Sequence, residues 1–155
     1  SVAVVIATHR HEPGLTRCLS SVLPLLRAPE DLIFIDNGSG RNLGLWVSDH
    51  YPGTTTLTLD ENRLFCGGYN AGIRIAMTRG YRFVLILNAD TEVVNPAFLN
   101  HLTDAAMRWP RAAFLGPLVY WRSHQTIQKT CLEFPNIMRN VLTWLPWRFS
   151  RGSPR

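Results

Sequence analysis

The feature that most constrains this sequence is a short uncharged apolar run, residues 83–87, which stops abruptly at a polar segment, residues 88–92. Such a run, rich in branched side chains, predicts a β-strand buried on both faces of a parallel sheet. Ligands of open α/β sheets bind at the carboxyl ends of the strands, and Asp90 lies just past this end. A carboxylate there suits Mg²⁺ or Mn²⁺. This stretch alone equally supports a turn in which Asp90 and Thr91 cap the next helix, after Pro96.

The rest of the chain alternates apolar runs with segments of helical periodicity. Strands are predicted at residues 2–7, 31–35, 54–59, 83–87, 113–120 and 126–130, and helices at residues 13–24, 43–50, 73–77, 96–108 and 135–145. This alternation predicts a doubly wound α/β fold with a mainly parallel sheet. We expect a single domain over residues 1–155, with its core in residues 1–122 and a basic, aromatic tail over residues 123–155.

Composition narrows the class of protein. The chain has 155 residues, of which 46% are hydrophobic, and a net charge of +5. After Glu92 the only acids are Asp104 and Glu133, so the C-terminal part is basic and favours an anionic partner. Three widely spaced cysteines indicate a reduced, cytoplasmic setting, and no apolar run reaches membrane-spanning length. Because the chain begins at Ser1 without an initiator Met, we expect an excised or processed piece.

Three polar loops are predicted to meet at one edge of the sheet, at residues 8–10, 36–39 and 88–90. The crevice between the carboxyl ends of adjacent strands is where a nucleotide fits, and Arg10 and Arg63 are suited to phosphate charge. The dinucleotide-binding fingerprint GxGxxG is absent from the first strand–helix turn. Gly67-Gly68 comes too late for it, and no Gly-Lys-Ser/Thr follows as in a P-loop. We expect these two glycines to form a ligand loop that opens the next helix.

Four motifs in this order identify a family. Thr8-His9-Arg10 ends the first strand, Asp36-Asn37-Gly38-Ser39 ends the second, a segment from Asn62 to Gly72 contains Gly67-Gly68-Tyr69-Asn70, and Asn88-Ala89-Asp90 ends the strand described first. Together they resemble the family 2 glycosyltransferases, in the rhamnosyltransferase-like branch. The resemblance covers most of the chain. It implies the GT-A fold, a Rossmann-like three-layer sandwich of nucleotide-diphospho-sugar transferases.

The resemblance also implies a site that binds a nucleotide-diphosphate sugar. Thr8 and Asp36 would hold the base, and Asn37 and Ser39 would shape the turn. Asn62, Gly68 and Asn70 would line the ribose and diphosphate, and Asp90 would hold Mg²⁺ or Mn²⁺. The implied set is Thr8, His9, Arg10, Asp36, Asn37, Ser39, Asn62, Gly67, Gly68, Asn70, Asn88, Ala89 and Asp90. The implied donor is dTDP-rhamnose or a UDP-sugar, and the implied acceptor is a glycan or lipid-linked glycan of polysaccharide biosynthesis.

The sequence departs from this family in one important respect. The family's general base lies in an acidic motif in the second half of the domain, whereas this chain has no acid after Glu133. Asp104 and Glu92 are poor substitutes by position. The catalytic base is therefore unknown, and we expect a truncated glycosyltransferase with little activity alone. A sugar-nucleotide-binding pseudoenzyme is the alternative.

The tail allows two interpretations. Its aromatic and arginine residues suit peripheral contact with the inner face of a membrane, or a helix that packs on the rest of a longer domain. The second interpretation is preferred. A basic nucleic-acid-binding module would also explain the arginines, but RRM, KH and helix-turn-helix signatures are missing, so nucleic acid is an unlikely partner.

Overall fold

The first part of the chain folds around a sheet of four parallel strands. The computed structural model describes residues 1–10, 13–121 and 126–128. The strands of this sheet are β1 (Val2–Thr8), β2 (Leu32–Asp36), β3 (Thr55–Thr58) and β4 (Phe83–Ile86). Their order is β3-β2-β1-β4, and all neighbours are parallel. The predicted strands at these places are confirmed.

Helices connect the strands as the alternation predicts. They are α1 (Leu15–Val22), α2 (Leu43–His50), α3 (Leu64–Thr78) and α4 (Phe98–Arg108). Alternate residues of the central strands point to opposite faces, so Val4 and Ile6 pack with α1 and α2, while Ala3 and Val5 pack with α3. The sheet is therefore covered on both faces, which confirms the α/β three-layer architecture.

Strand β4, which contains most of the apolar run at residues 83–87, is less buried than the sequence predicts. β4 stands at one edge of the sheet, its first three residues are only partly buried, and the Ile86 side chain is 45% exposed. The fully buried strand is β2, and β1 is nearly so. The prediction of burial on both faces is therefore wrong for β4, because an apolar run predicts a strand but not the number of neighbours it acquires.

Helix α3 begins nine residues earlier than predicted, at Leu64 rather than Ile73. Gly67 and Gly68 consequently lie inside the helix and not in a loop before it. A Cβ on Gly68 would stand 2.9 Å from the Asn37 amide nitrogen, and a Cβ on Gly72 would overlap Val5. These two glycines are four residues apart and share a helix face, so they allow α3 to pack closely on the sheet.

Residue contacts divide the chain into two compact units, Ser1–Ala112 and Ala113–Arg155. In the second unit β5 (Val119–Trp121) and β6 (Thr126–Gln128) pair antiparallel. The strand predicted at residues 113–120 is therefore much shorter. The single domain stays a prediction, and the helix predicted at residues 135–145 and most of the tail lie outside the described residues.

Replacing Gly72 by alanine tests the close packing of α3. The new Cβ would overlap Val5 on β1, so we expect Gly72→Ala to lower the free energy of unfolding by about 1–3 kcal/mol, as overpacking does. The measurement is urea unfolding followed by circular dichroism. Arg74→Ala, at an exposed position of the same helix, is the control and should change stability by less than about 0.5 kcal/mol. Equal stability of the two variants would contradict the packing role of Gly72.

Candidate functional site

The carboxyl ends of the strands form one polar edge, as predicted. Thr8 of β1 pairs with Asp36 of β2, which in turn pairs with Thr58 of β3. The backbone N–H of Asn37 donates to the Thr8 carbonyl at 2.8 Å. The N–H of Leu87 donates to the Val5 carbonyl at 3.0 Å, which continues the β4 pairing by one residue. The three loops predicted to converge therefore all start from this edge.

Asp36 is fully buried, and both of its carboxylate oxygens accept hydrogen bonds from the chain itself. Oδ1 accepts the N–H of Ser39 at 2.9 Å, and Oδ2 accepts the N–H of Gly44 at 3.3 Å. Gly44 lies in the first turn of α2, where backbone N–H groups lack partners within the helix. Asp36 thus holds the loop after β2 against the start of α2. Its contact with a nucleotide base stays a prediction.

Asn37 joins the loop after β2 to the start of α3. Its buried side-chain amide donates to Asn62 Oδ1 at 3.1 Å and to the Leu64 carbonyl at 3.0 Å. Its own Oδ1 accepts the N–H of Arg63 at 3.0 Å. Leu64 has a positive φ of 57°, a backbone conformation that side chains other than glycine rarely adopt. These bonds stabilise the strained backbone where α3 begins, so Asn37 has a structural role in the site.

Thr8 makes a local turn at the end of β1. Its hydroxyl donates to the Arg10 carbonyl at 2.8 Å and accepts the Arg10 N–H at 3.2 Å. The hydroxyl is therefore engaged by its own loop, while His9 and Arg10 are exposed to solvent. The two exposed side chains are the parts of this motif that a ligand can reach.

The loop after β4 combines a buried and two exposed side chains. Ala89 is buried in the core, whereas Asn88 and Asp90 are exposed. The Thr91 N–H donates to the Asn88 carbonyl at 3.1 Å, which closes a tight turn. Helix α4 starts only at Phe98, so the interpretation of Asp90 as a helix cap is wrong. The Asp90 carboxylate is left facing solvent.

Two residues that hold this loop were not predicted as part of the site. The Tyr69 hydroxyl donates to the Leu87 carbonyl at 3.0 Å, and Cys18 Sγ lies 3.4 Å from the Asn88 carbonyl oxygen as a donor. Burial raises the pKa of both Tyr69 and Cys18 to about 12, so both groups keep their protons near neutral pH. The signal that could have indicated Tyr69 is its position directly after Gly67-Gly68, on a helix face that packs against the sheet. A phenol buried there needs a hydrogen-bond partner.

The predicted site residues separate into two groups by burial. The members that are buried and build the scaffold are Thr8, Asp36, Asn37, Gly68 and Ala89. The members that are exposed are His9, Arg10, Asn62, Asn70, Asn88 and Asp90, and Ser39 and Gly67 are partly buried. Thr8 and Asp36 end β1 and β2, and the others lie on the loops after β1, β2 and β4 or in the segment from β3 into α3. The structure therefore brings the predicted segments to one edge, with the exposed members available to a ligand.

The oxygen ligands at this edge fit a cation that binds together with the phosphate groups of a second ligand. Across residues 1–10, 13–121 and 126–128, no group of three or more His, Cys, Asp or Glu side chains could hold a metal ion. One exposed carboxylate, from Asp90, leaves most coordination positions to phosphate and water. Mg²⁺ is commonly bound in this way, by one or two carboxylates and substrate phosphates.

Removing the Asp36 carboxylate tests its structural role. We expect Asp36→Ala to leave two backbone N–H groups without an acceptor and to lower the free energy of unfolding by about 2–3 kcal/mol. Urea unfolding measures this loss. Asp60→Ala, at an exposed position, is the control and should cost less than about 0.5 kcal/mol. A stability of Asp36→Ala equal to that of the control would show that the buried hydrogen bonds contribute nothing.

Known proteins resemble this chain over most of its length. It is 31% identical over 124 residues to N-acetylglucosaminyl-diphospho-decaprenol L-rhamnosyltransferase from two strains of Mycobacterium tuberculosis, CDC 1551 / Oshkosh and ATCC 25618 / H37Rv. The match covers 75% of this chain and 40% of each relative, so the chain spans well under half of the curated relatives' length. The crystal structure of S. aureus TarS 1-349 has 19% identity and a TM-score of 0.49, covering 69% of this chain and 32% of that one.

The family itself is established by a match that covers nearly the whole chain. Residues 3–151 match glycosyl transferase family 2, and this range includes all four motifs. The parallel sheet with helices on both faces is that of the Rossmann-like GT-A fold. The chain therefore belongs to glycosyl transferase family 2.

Proposed function

We propose that this chain binds a nucleotide-diphosphate sugar at the carboxyl edge of its sheet, with a divalent cation held by Asp90. The observation that carries the proposal is the exposed Asp90 carboxylate on a loop whose backbone is fixed from both sides by α1 and α3. Because the Asp90 side chain is exposed, a cation can reach its carboxylate from solvent. The buried Asp36 carboxylate is not free in this way.

The exposed side chains around the edge match the parts of such a donor. Arg10 and Arg63 are exposed cations on two different loops, and cations of this kind pair with phosphate oxygens. Asn62, just before α3, and Asn70, in its second turn, are exposed and offer amide groups that suit ribose hydroxyls. The sugar donor is dTDP-rhamnose or a UDP-sugar; the rhamnosyltransferase relatives favour the first.

The cation supplies charge stabilisation for the departing nucleoside diphosphate. Asp90 would provide the carboxylate ligand, and the remaining positions would be left to phosphate and water oxygens. Mg²⁺ and Mn²⁺ both accept such an oxygen-rich set. Ala89 contributes by its burial, because it anchors the loop in the core between the two exposed residues.

The acceptor is proposed to be a lipid-linked glycan of polysaccharide biosynthesis. The curated relatives are named for action on N-acetylglucosaminyl-diphospho-decaprenol, a sugar on a lipid diphosphate. Inverting transfer needs a general base within hydrogen-bond reach of the acceptor hydroxyl. This chain has no acid after Glu133, so we propose that a base for efficient transfer is not supplied by it.

The location of the protein is part of the same proposal. In the described part of the chain, none of the helices is both long and apolar enough to span a bilayer. We propose that the protein acts at the inner face of the membrane, where a lipid-linked acceptor is presented. The aromatic and basic tail lies outside the described residues, so its two interpretations stay predictions.

Nucleotide titration tests the donor site. We expect UDP or dTDP to bind more tightly with Mn²⁺ than without it, because Asp90 would hold the cation that neutralises the diphosphate. In Asp90→Asn this Mn²⁺ enhancement should fall at least about tenfold, as when a ligand to a metal is weakened. Isothermal calorimetry of dTDP, UDP and GDP, each with and without Mn²⁺, measures the enhancement and identifies the preferred base.

Asp49→Asn is the matched control, since Asp49 is an exposed carboxylate near the end of α2 and away from the loops of the site. It should leave both affinities unchanged. An Mn²⁺ enhancement that survives in Asp90→Asn would remove Asp90 from the cation site. Failure of every nucleotide to bind a folded wild-type chain would contradict the donor site itself.

A transfer assay tests the missing base. With dTDP-rhamnose and N-acetylglucosaminyl-diphospho-polyprenol, we expect this chain to turn over at least about 100-fold more slowly than the full-length M. tuberculosis relative, because general-base catalysis contributes roughly that factor or more. Product is measured by chromatography of the lipid fraction, with the relative as positive control. Equal rates would show that a base is present within this chain.

A further inference from the structure

The hydroxyl of Tyr69 lies where α3 meets the loop that carries Asp90. The Tyr69 side chain is only 4% exposed, and its hydroxyl is 3.0 Å from the Leu87 carbonyl oxygen and 3.1 Å from Asn88 Oδ1. A phenol has one proton, which the Leu87 carbonyl accepts. Asn88 Oδ1 is a second acceptor for the same O–H group. The Tyr69 hydroxyl thus bonds to two consecutive residues of the loop, Leu87 and Asn88, that precede Asp90.

The opposite side of the loop is held by α1 and the residue before it. Cys18 Sγ lies 3.4 Å from the Asn88 carbonyl oxygen, and the Ser21 hydroxyl accepts the N–H of Val93 at 3.0 Å. Gly14 lies so close that an added Cβ would stand 2.9 Å from the Asp90 Cα. The backbone of the loop is therefore bounded on the α1 side by direct contact and on the α3 side by the phenol.

We propose that Tyr69 is a positioning residue for Asp90, which fixes the loop from Leu87 to Asp90 through its hydroxyl and so sets where the carboxylate meets the cation. This inference rests on the proposed function, in which Asp90 holds that cation. Groups that orient a metal ligand without touching the metal strongly affect its affinity. Tyr69 itself is buried and reaches the ligand only through the loop.

The phenol ring and the hydroxyl have separable roles. The ring packs in the core cluster between α3 and the sheet, and it contacts the Phe65 ring with centroids 4.5 Å apart. The hydroxyl alone reaches the loop. Tyr69→Phe therefore keeps the packing and removes the bonds to Leu87 and Asn88, so its effect reports on the loop rather than on the fold.

The experiment compares Tyr69→Phe with Tyr81→Phe, which also loses one phenol hydroxyl, but one bonded to Asp31 at the opposite edge of the sheet. Hydrogen exchange of the backbone amides of residues 88–91 is measured without metal or nucleotide. Calorimetry then measures UDP affinity with and without Mn²⁺. We expect Thr91, whose N–H donates to the Asn88 carbonyl, to exchange roughly fivefold faster in Tyr69→Phe, the ratio for one neutral hydrogen bond.

The Mn²⁺ enhancement of UDP affinity should fall about tenfold in Tyr69→Phe, the lower end of what loss of an outer partner costs. UDP affinity without metal should stay the same, and Tyr81→Phe should change neither quantity. A role of Tyr69 in folding alone would lower stability without this selective loss of the metal-dependent part. Gly14→Ala, which pushes on Asp90 from the other side, should reduce the enhancement as well.

Unchanged amide exchange in Tyr69→Phe would overturn the positioning role, whatever happens to the cation. Accelerated exchange with an unchanged Mn²⁺ enhancement would also overturn it, because the loop would then move without consequence for Asp90. If the wild-type chain shows no Mn²⁺ enhancement, the cation site of the proposed function fails and the positioning of Asp90 for a cation fails with it. In that case accelerated amide exchange in Tyr69→Phe would still show that the hydroxyl fixes the loop, so failure of the cation site and failure of the loop contact can be distinguished.

Discussion

The close packing of α3 on β1 is the contact on which the rest of the site depends. Gly72 and Gly68 bring the helix so near the sheet that a methyl group at Gly72 would overlap Val5. At this distance Tyr69, the residue after Gly68, reaches the Leu87 carbonyl just beyond the end of β4. The same approach brings the start of α3 against the Asn37 amide. Packing of the core and placement of the polar loops are thus one geometric constraint.

Burial decides what each polar residue of the site can do. A carboxylate removed from water needs donors, and Asp36 obtains them from the N–H groups of Ser39 and Gly44. Asp90 keeps its water and needs no such partners. In the part of the chain that the structure describes, every buried side-chain nitrogen and oxygen has a hydrogen-bond partner. The buried polar residues therefore form a satisfied scaffold that presents the exposed ones.

Much of the fold was predictable because its signals are local. Apolar runs locate β1, β2 and β4, and alternation over residues 54–59 locates β3. Helical periodicity locates α1 and α2 to within about two residues, since side-chain period follows directly from backbone geometry. The start of α3 was not predictable in this way, because two adjacent glycines ordinarily indicate a loop. Here tertiary packing reverses that preference: the sheet leaves no room for a Cβ at Gly68 and Gly72.

The sequence by itself determined the α/β class, the family and the four polar segments that end or follow the strands, because motif order and side-chain period are properties of the chain. The tertiary structure alone decided which members of those segments face solvent. It placed β4 at the sheet edge, buried Asp36 against the N–H groups of Ser39 and Gly44, and brought the Tyr69 hydroxyl to the loop before Asp90. The pairing of β4 with β1 and the bond from Tyr69 to Leu87 join residues far apart in sequence, which local propensity does not encode.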